Sequence, residues 1–227
     1  MNHHHDNEHE HEGHSTSLAE ELLHHLPYAI FSVAFSLILL SLITHVSSYG
    51  IDAAETAEKA DSLFHNFHFL HIIFAATGTM ITFLRFSHSY LKGLLVGIFS
   101  PAVFCTLSDA ILPYYGGRML GVDMHWHVCF YSELPNVLPF LIVGVINGVV
   151  MAHHHYSKLG TFSVGSHFVH ILVSSLAAST YLLSHGFLNW SEQIGFVFLF
   201  LIVAVLVPCT VSDIVVPLLF AKADKKR

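Results

Sequence analysis

Apolar residues run along this chain in continuous blocks, at about 27–48, 64–86, 91–114, 136–155, 164–187 and 193–220. Each block is close to the ~20 residues an α-helix needs to cross a bilayer. The pattern therefore predicts six transmembrane helices. Strands of a membrane barrel would alternate apolar and polar positions, and these blocks do not. Gly50, Gly116, Gly117, Pro135 and Gly160 fall between the blocks and are read as turn markers, and Ala53 to Ala60 reads as a short polar or interfacial helix.

Ahead of the first block, residues 1–25 interleave His with Asp and Glu and contain no Lys or Arg. Such a segment cannot bury a core, so a disordered cytosolic tail is expected. The missing basic n-region argues against a signal peptide. The acidic interleaving favours a native metal-binding tail over a purification tag. The remaining divisions are a first three-helix unit (26–114), an outer loop (115–134), a second three-helix unit (135–220) and a basic cytosolic C-terminus (221–227). If AKADKKR is cytosolic, Arg85, Lys92 and Lys158 lie on the same side and only Lys59 and Arg118 lie outside. The positive-inside rule then puts both termini in the cytoplasm of a multi-pass protein in a bacterial inner or other cell membrane.

Composition changes the picture in two ways. Of the 227 residues, 53% are hydrophobic and 11% charged, less than half the roughly 25% charged residues of a soluble domain. A soluble enzyme is thereby disfavoured. The net charge of -7, with scattered basic residues, leaves no cationic face to track a phosphate backbone, so no nucleic-acid partner is expected. The second feature is 21 His, thirteen of them outside the first 25 residues in an otherwise apolar setting. Each buried imidazole there needs a hydrogen-bond partner or a ligand. Three Cys (Cys105, Cys129, Cys209) without CxxC spacing indicate no disulfide framework.

The two units repeat one another. His68-Phe69-Leu70-His71 in the second block matches His167-Phe168-Val169-His170 in the fifth. Cys105-Thr106-Leu107-Ser108-Asp109 in the third matches Cys209-Thr210-Val211-Ser212-Asp213 in the sixth, each Asp being followed four residues later by Pro113 or Pro217. Glu21-x5-Pro27 and Glu133-x5-Pro139 form a fainter third pair. Three spans per unit is an odd number, so the units must be inverted relative to each other. The fold class expected is an all-α membrane protein of two inverted-topology three-helix repeats. That organisation resembles the general class of inverted-repeat secondary transporters, an architectural likeness that assigns no residue roles.

The repeated motifs carry ligand chemistry. Asp109 and Asp213 are the acidic residues well inside the blocks, where a carboxylate must be paired, protonated or bound to a cation. Cys105 and Asp109 are i, i+4, and His68 with His71, like His167 with His170, are i, i+3, so each pair shares one helix face. Imidazole, thiolate and carboxylate together suit Zn²⁺ or a neighbouring first-row ion, whereas Mg²⁺ or Ca²⁺ would want oxygen alone. Each proline is expected to free the carbonyl of the Asp four residues before it. In the N-in topology the clusters fall on opposite sides, as an entrance and an exit. His45, His65, His125, His127 and Glu133 are candidates to complete the outer site, and His24, His25, His153 and His154 the inner one.

The function expected is alternating-access transport of a divalent transition metal, Zn²⁺ foremost, with Fe²⁺, Ni²⁺ or Co²⁺ as other substrates. The alternatives are a haem-binding redox protein with axial His ligands and a di-iron or zinc membrane enzyme. An enzyme would gather both HxxH pairs on one membrane face. Convergence of the repeated ligands into one binuclear centre near the midplane, and assembly as a homo-oligomer, are both left open by the residues.

Overall fold

A computed structural model of the chain describes residues 18–50, 52–126, 129–154 and 159–225, with side chains placed for these except at 129–130, 154, 159–166 and 225. The described residues contain helices and connecting turns. In chain order the elements are α1 (Leu18–Ser47), α2 (Ala53–Phe86), α3 (Tyr90–Thr106), a π-helical turn (Leu107–Ile111), α4 (Leu112–Met119), α5 (Cys129–Ser132), α6 (Leu134–His154), α7 (Leu159–Ser184), a 3₁₀ turn (Trp190–Gln193), α8 (Ile194–Thr210), a second π turn (Val211–Val215) and α9 (Val216–Lys225). The runs α3–α4 and α8–α9 are each continuous through their π turn, so six helices are long and apolar enough to cross a membrane.

The helices extend beyond the apolar blocks. α1 begins at Leu18, so residues 18–25, read from sequence as tail, form its first two turns. Residues 1–17 lie outside the described part. The short polar helix expected at Ala53–Ala60 is the opening of α2, whose Asp52 side chain caps Ala54 N at 3.3 Å. Gly50, with φ +134°, makes the turn before it.

Four predicted turn markers are helical instead. Gly116 and Gly117 lie inside α4 and are buried, because a Cβ on Gly116 would stand 2.4 Å from the Phe200 ring and one on Gly117 2.7 Å from Met124 Sδ. Close approach to neighbouring helices, not a turn, accounts for both. Pro135 and Gly160 likewise fall in the first turns of α6 and α7.

Burial is inverted relative to a soluble bundle. Large apolar side chains such as Phe31, Ile38, Leu91, Phe99 and Val203 face outward, while Ser32, Ser36, Thr79, Ser100, Ser175 and Ser179 are buried. Most of these hydroxyls, Ser32 excepted, bond back to carbonyls of their own helix or across to a neighbour, as Ser36 Oγ does to Ser179 Oγ at 3.0 Å. In hydrocarbon every polar group must find an internal partner.

α2 is the central helix and packs most extensively on α7, then on α6 and α3; α1 lies against α7 and α8. The α2–α6 contact depends on Gly144 and Gly148, four residues apart, whose missing side chains let the backbones meet. Thr77 Oγ1 donates to the Gly144 carbonyl at 3.0 Å, and Asn147 Nδ2 donates to Thr77 Oγ1 at 3.2 Å. A Cβ on Gly148 would lie 2.5 Å from Met80 Cβ and 2.9 Å from the Thr77 carbonyl oxygen. Because the latter is backbone, Gly148→Ala is expected to destabilise the protein by about 1–3 kcal/mol, read as a lowered melting temperature in detergent.

Candidate metal centre

Each π turn carries one of the repeated Asp residues, and sequence explains the geometry locally. In a regular α-helix Pro113 and Pro217 would clash with the carbonyls of Asp109 and Asp213. The helix widens instead: Leu112 N donates to Leu107 O, and Val216 N to Val211 O, five residues back. In that register Pro217 leaves the Ser212 carbonyl unserved. Thr79 Oγ1 and Ser100 Oγ both donate to it at 3.1 Å. This carbonyl, rather than that of Asp213 as expected, is the one taken up by side-chain donors.

The wide turns push both carboxylates into the interior, where Asp109 and Asp213 are buried. His68 Nδ1 and His71 Nδ1 donate to Asp109 Oδ2 at 2.8 and 2.6 Å. Asp109 Oδ1 accepts from Ser108 Oγ and from Ser174 Oγ on α7, each at 2.7 Å. In the matching arrangement His170 Nδ1 donates to Asp213 Oδ2 at 2.6 Å, with His167 Nδ1 at 3.8 Å. On α2, Gly78 makes room for this carboxylate, since a Cβ there would lie 2.6 Å from Asp213 Oδ2.

The two clusters do not stand apart as an entrance and an exit. With their Nδ1 atoms tied to the carboxylates, His71 and His170 turn their Nε2 atoms toward each other, 2.5 Å apart, and Cys209 Sγ lies 3.6 Å from His71 Nε2. The reason is the direct packing of α2 on α7, which places the second His of each HxxH pair at the helix–helix contact. Among the described residues, three overlapping groups have ligand atoms close enough to hold a metal ion: His68, His71 and Asp109; His71, His170 and Cys209; and His167, His170 and Asp213. Cys105 is buried and free but outside these groups.

The additional candidates are scattered. His45 is exposed and sits by Tyr49 Oη at 3.4 Å. His65 Nδ1 donates to the Asp61 carbonyl at 2.9 Å, and its Nε2 lies 3.4 Å from Glu133. His153 Nε2 meets Tyr90 Oη at 2.8 Å. The His125 carbonyl accepts from Tyr181 Oη. His24 is exposed beside the buried His25. His127 and the His154 side chain lie outside the described residues. Sequence reading missed Ser108, Ser174 and Gly78. The Ser108–Asp109 adjacency is a local signal that was available, whereas the reach of Ser174 across from α7 leaves none.

No protein family, curated protein or solved structure matches this chain. The chemistry of the site therefore rests on its own geometry. Imidazole nitrogen, thiol sulfur and carboxylate oxygen, buried and close together, could hold a metal ion.

Proposed function

We propose that the protein is a membrane transporter whose substrate is a divalent transition metal ion, Zn²⁺ foremost, bound between its two halves by His71 Nε2, His170 Nε2 and Cys209 Sγ. The observation that carries this reading is the facing pair of Nε2 atoms, each on a ring whose Nδ1 is held by a buried carboxylate. Carboxylate-to-imidazole hydrogen bonds of this kind orient metal-binding histidines and raise their basicity. With the carboxylates ionised, formation of all three hydrogen bonds requires one extra proton, held between the two Nε2 atoms. Two nitrogens on one tetrahedral Zn²⁺ stand about 3.3 Å apart. An arriving ion must therefore displace that proton and open the 2.5 Å gap, which couples metal binding to proton release.

An inverted repeat gives this site its place. Both copies of the Ser-Asp pair lie on π turns and both HxxH pairs on long helices, and the halves interlock: α1 of the first packs on α7 of the second, and α6 of the second on α2 of the first. If the halves are related as an inverted repeat, rocking of one against the other would expose the site at the His71–His170 contact to each side in turn. The distribution of Lys and Arg supports an orientation with both termini in the cytoplasm.

Gathering of both HxxH pairs at one centre also fits the second reading, a membrane metalloenzyme. A haem fits less well, because its plane would have to separate the two rings that here touch directly. Flux separates the readings. Protein reconstituted into liposomes is expected to carry Zn²⁺ across the membrane with release of protons, reported by a trapped metal dye and a pH dye. Stoichiometric bound metal without flux would sink the transport reading in favour of an enzyme.

A further inference from the structure

The two carboxylates occupy matching places but not matching environments. Asp109 receives four donors, from His68, His71, Ser108 and Ser174. Asp213 receives His170 alone within hydrogen-bond distance, and its Oδ1 is buried with no hydrogen-bond partner. The difference has a source in sequence. Ser212 turns its hydroxyl toward Ser100 rather than toward Asp213. Ser174 stands seven residues after His167, whereas seven residues after His68 the chain has Ala75, which has no hydroxyl to offer Asp213.

The surroundings differ in the same sense. His68 is almost completely buried, with the Phe64 ring stacked on it at 5.6 Å and Tyr181 packed on Phe64 at 4.9 Å. His167 is partly exposed, and its ring meets His25 edge-on at 4.8 Å. His25 Nδ1 donates to the Glu21 carbonyl at 2.7 Å, which leaves its Nε2 as the nitrogen with a free lone pair. A surface crevice with Glu21 and Lys222 in its walls reaches Ile214 and Val215, next to Asp213.

We infer that Asp213 and His167, two members of one of the three close ligand groups, form a second metal-binding station that is completed when the His25 ring rotates from its edge-on contact with His167 toward Asp213 Oδ1, and that it loads the central site from the end of the molecule where α1 begins and α9 ends. A divalent cation there would satisfy the orphaned carboxylate oxygen and add two imidazole nitrogens, the donor set that suits Zn²⁺ or Co²⁺. His170 then links the stations, because its Nδ1 bonds Asp213 and its Nε2 faces the central site. At the Asp109 end the carboxylate itself is saturated by its four donors, and His68, whose Nε2 is buried without a hydrogen-bond partner, lies under the Phe64–Tyr181 cover, which closes the corresponding route. With both termini in the cytoplasm, the loading station faces the cytosol. This inference rests on the central-site reading for its role as a loading step, but its ligands are tested separately.

The test is a Co²⁺ titration of the full chain in detergent, comparing wild type with His25→Gln, His167→Gln and His68→Gln. Metal held by the His-rich N-terminal residues is common to all four proteins and cancels in the comparison. The expected result is loss of one bound Co²⁺ per chain in His25→Gln and in His167→Gln, none in His68→Gln, and retention of the thiolate-to-cobalt absorption band in all. If one of the His variants fails to fold, the other carries the comparison. Ala75→Ser, which offers Asp213 the missing hydroxyl, is expected to weaken the second ion at least tenfold. Unchanged stoichiometry in the station variants, or an equal loss in His68→Gln, overturns the station while the cobalt band leaves the central site standing. Absence of the band in wild type overturns the central site, and the loss of an ion in His167→Gln would then still establish the station.

Discussion

Asp109→Ala is expected to destabilise the protein by about 3–5 kcal/mol, the range for removing one partner of a buried charged network. Four donors converge on this carboxylate from three elements: His68 and His71 on α2, Ser108 on the first π turn and Ser174 on α7. Without it the two imidazole Nδ1–H groups are left in the interior with no acceptor, Ser108 and Ser174 fall back on the Cys105 carbonyl and on Ser108 Oγ, and the residues that join α2, α7 and the π turn lose their common point. Asp109→Asn should recover only part of the loss, because the amide nitrogen presents a donor where a donor already points. Asp213→Ala is expected to cost less, since it strands the His170 donor alone and removes an oxygen that had no partner. Thermal unfolding of the three variants in one detergent checks the order. Equal losses for Asp109→Ala and Asp213→Ala would show that the extra hydroxyl and imidazole donors contribute nothing.

The second large effect concerns the facing imidazoles. His71→Ala and His170→Ala are each expected to weaken metal binding at the central site by more than about 100-fold, beyond the 10–100-fold typical of losing a group that merely orients a ligand. Each removes an Nε2 donor and also frees the carboxylate that held the ring. Cys209→Ser should abolish the thiolate-to-cobalt band while leaving the remaining cobalt absorption, and Cys105→Ser should leave the band in place, because Cys105 lies outside the ligand groups. Isothermal titration with Zn²⁺ and absorption spectra with Co²⁺ provide the two measurements. Unaltered Zn²⁺ affinity in both His variants would remove the central site.

Much of this arrangement is legible along the chain. The six long apolar helices follow from block length alone, since a run of that size without charge has few other folded destinations. Helical spacing likewise places His68 beside His71, and His167 beside His170, on one helix face. Where the reading stopped short, the missing information lay between segments. The short helix at Ala53–Ala60 looked separate because hydropathy falls there, yet backbone hydrogen bonding carries α2 straight through it. Gly116 and Gly117 looked like turn residues because nothing local reveals that Phe200 and Met124 will press against them. The Gly144–Gly148 spacing that seats α6 on α2 was visible but has meaning only with a partner helix in view.

The candidate metal centre divides in the same way. By itself the sequence determined the chemistry: which ligand types exist, that they occur twice in the same order, and that Pro113 and Pro217 disturb the helix at each Asp. Those properties are local, set by side-chain identity and by the sterics of a proline in a helix. Only the tertiary structure decided that the two clusters meet. Packing of α2 against α7 brings His71 and His170 to within a hydrogen bond across 99 positions of chain, and places Ser174 on Asp109 while Asp213 Oδ1 receives no such hydroxyl. Contacts between helices depend on the shapes of both surfaces at once, which no spacing within one helix encodes.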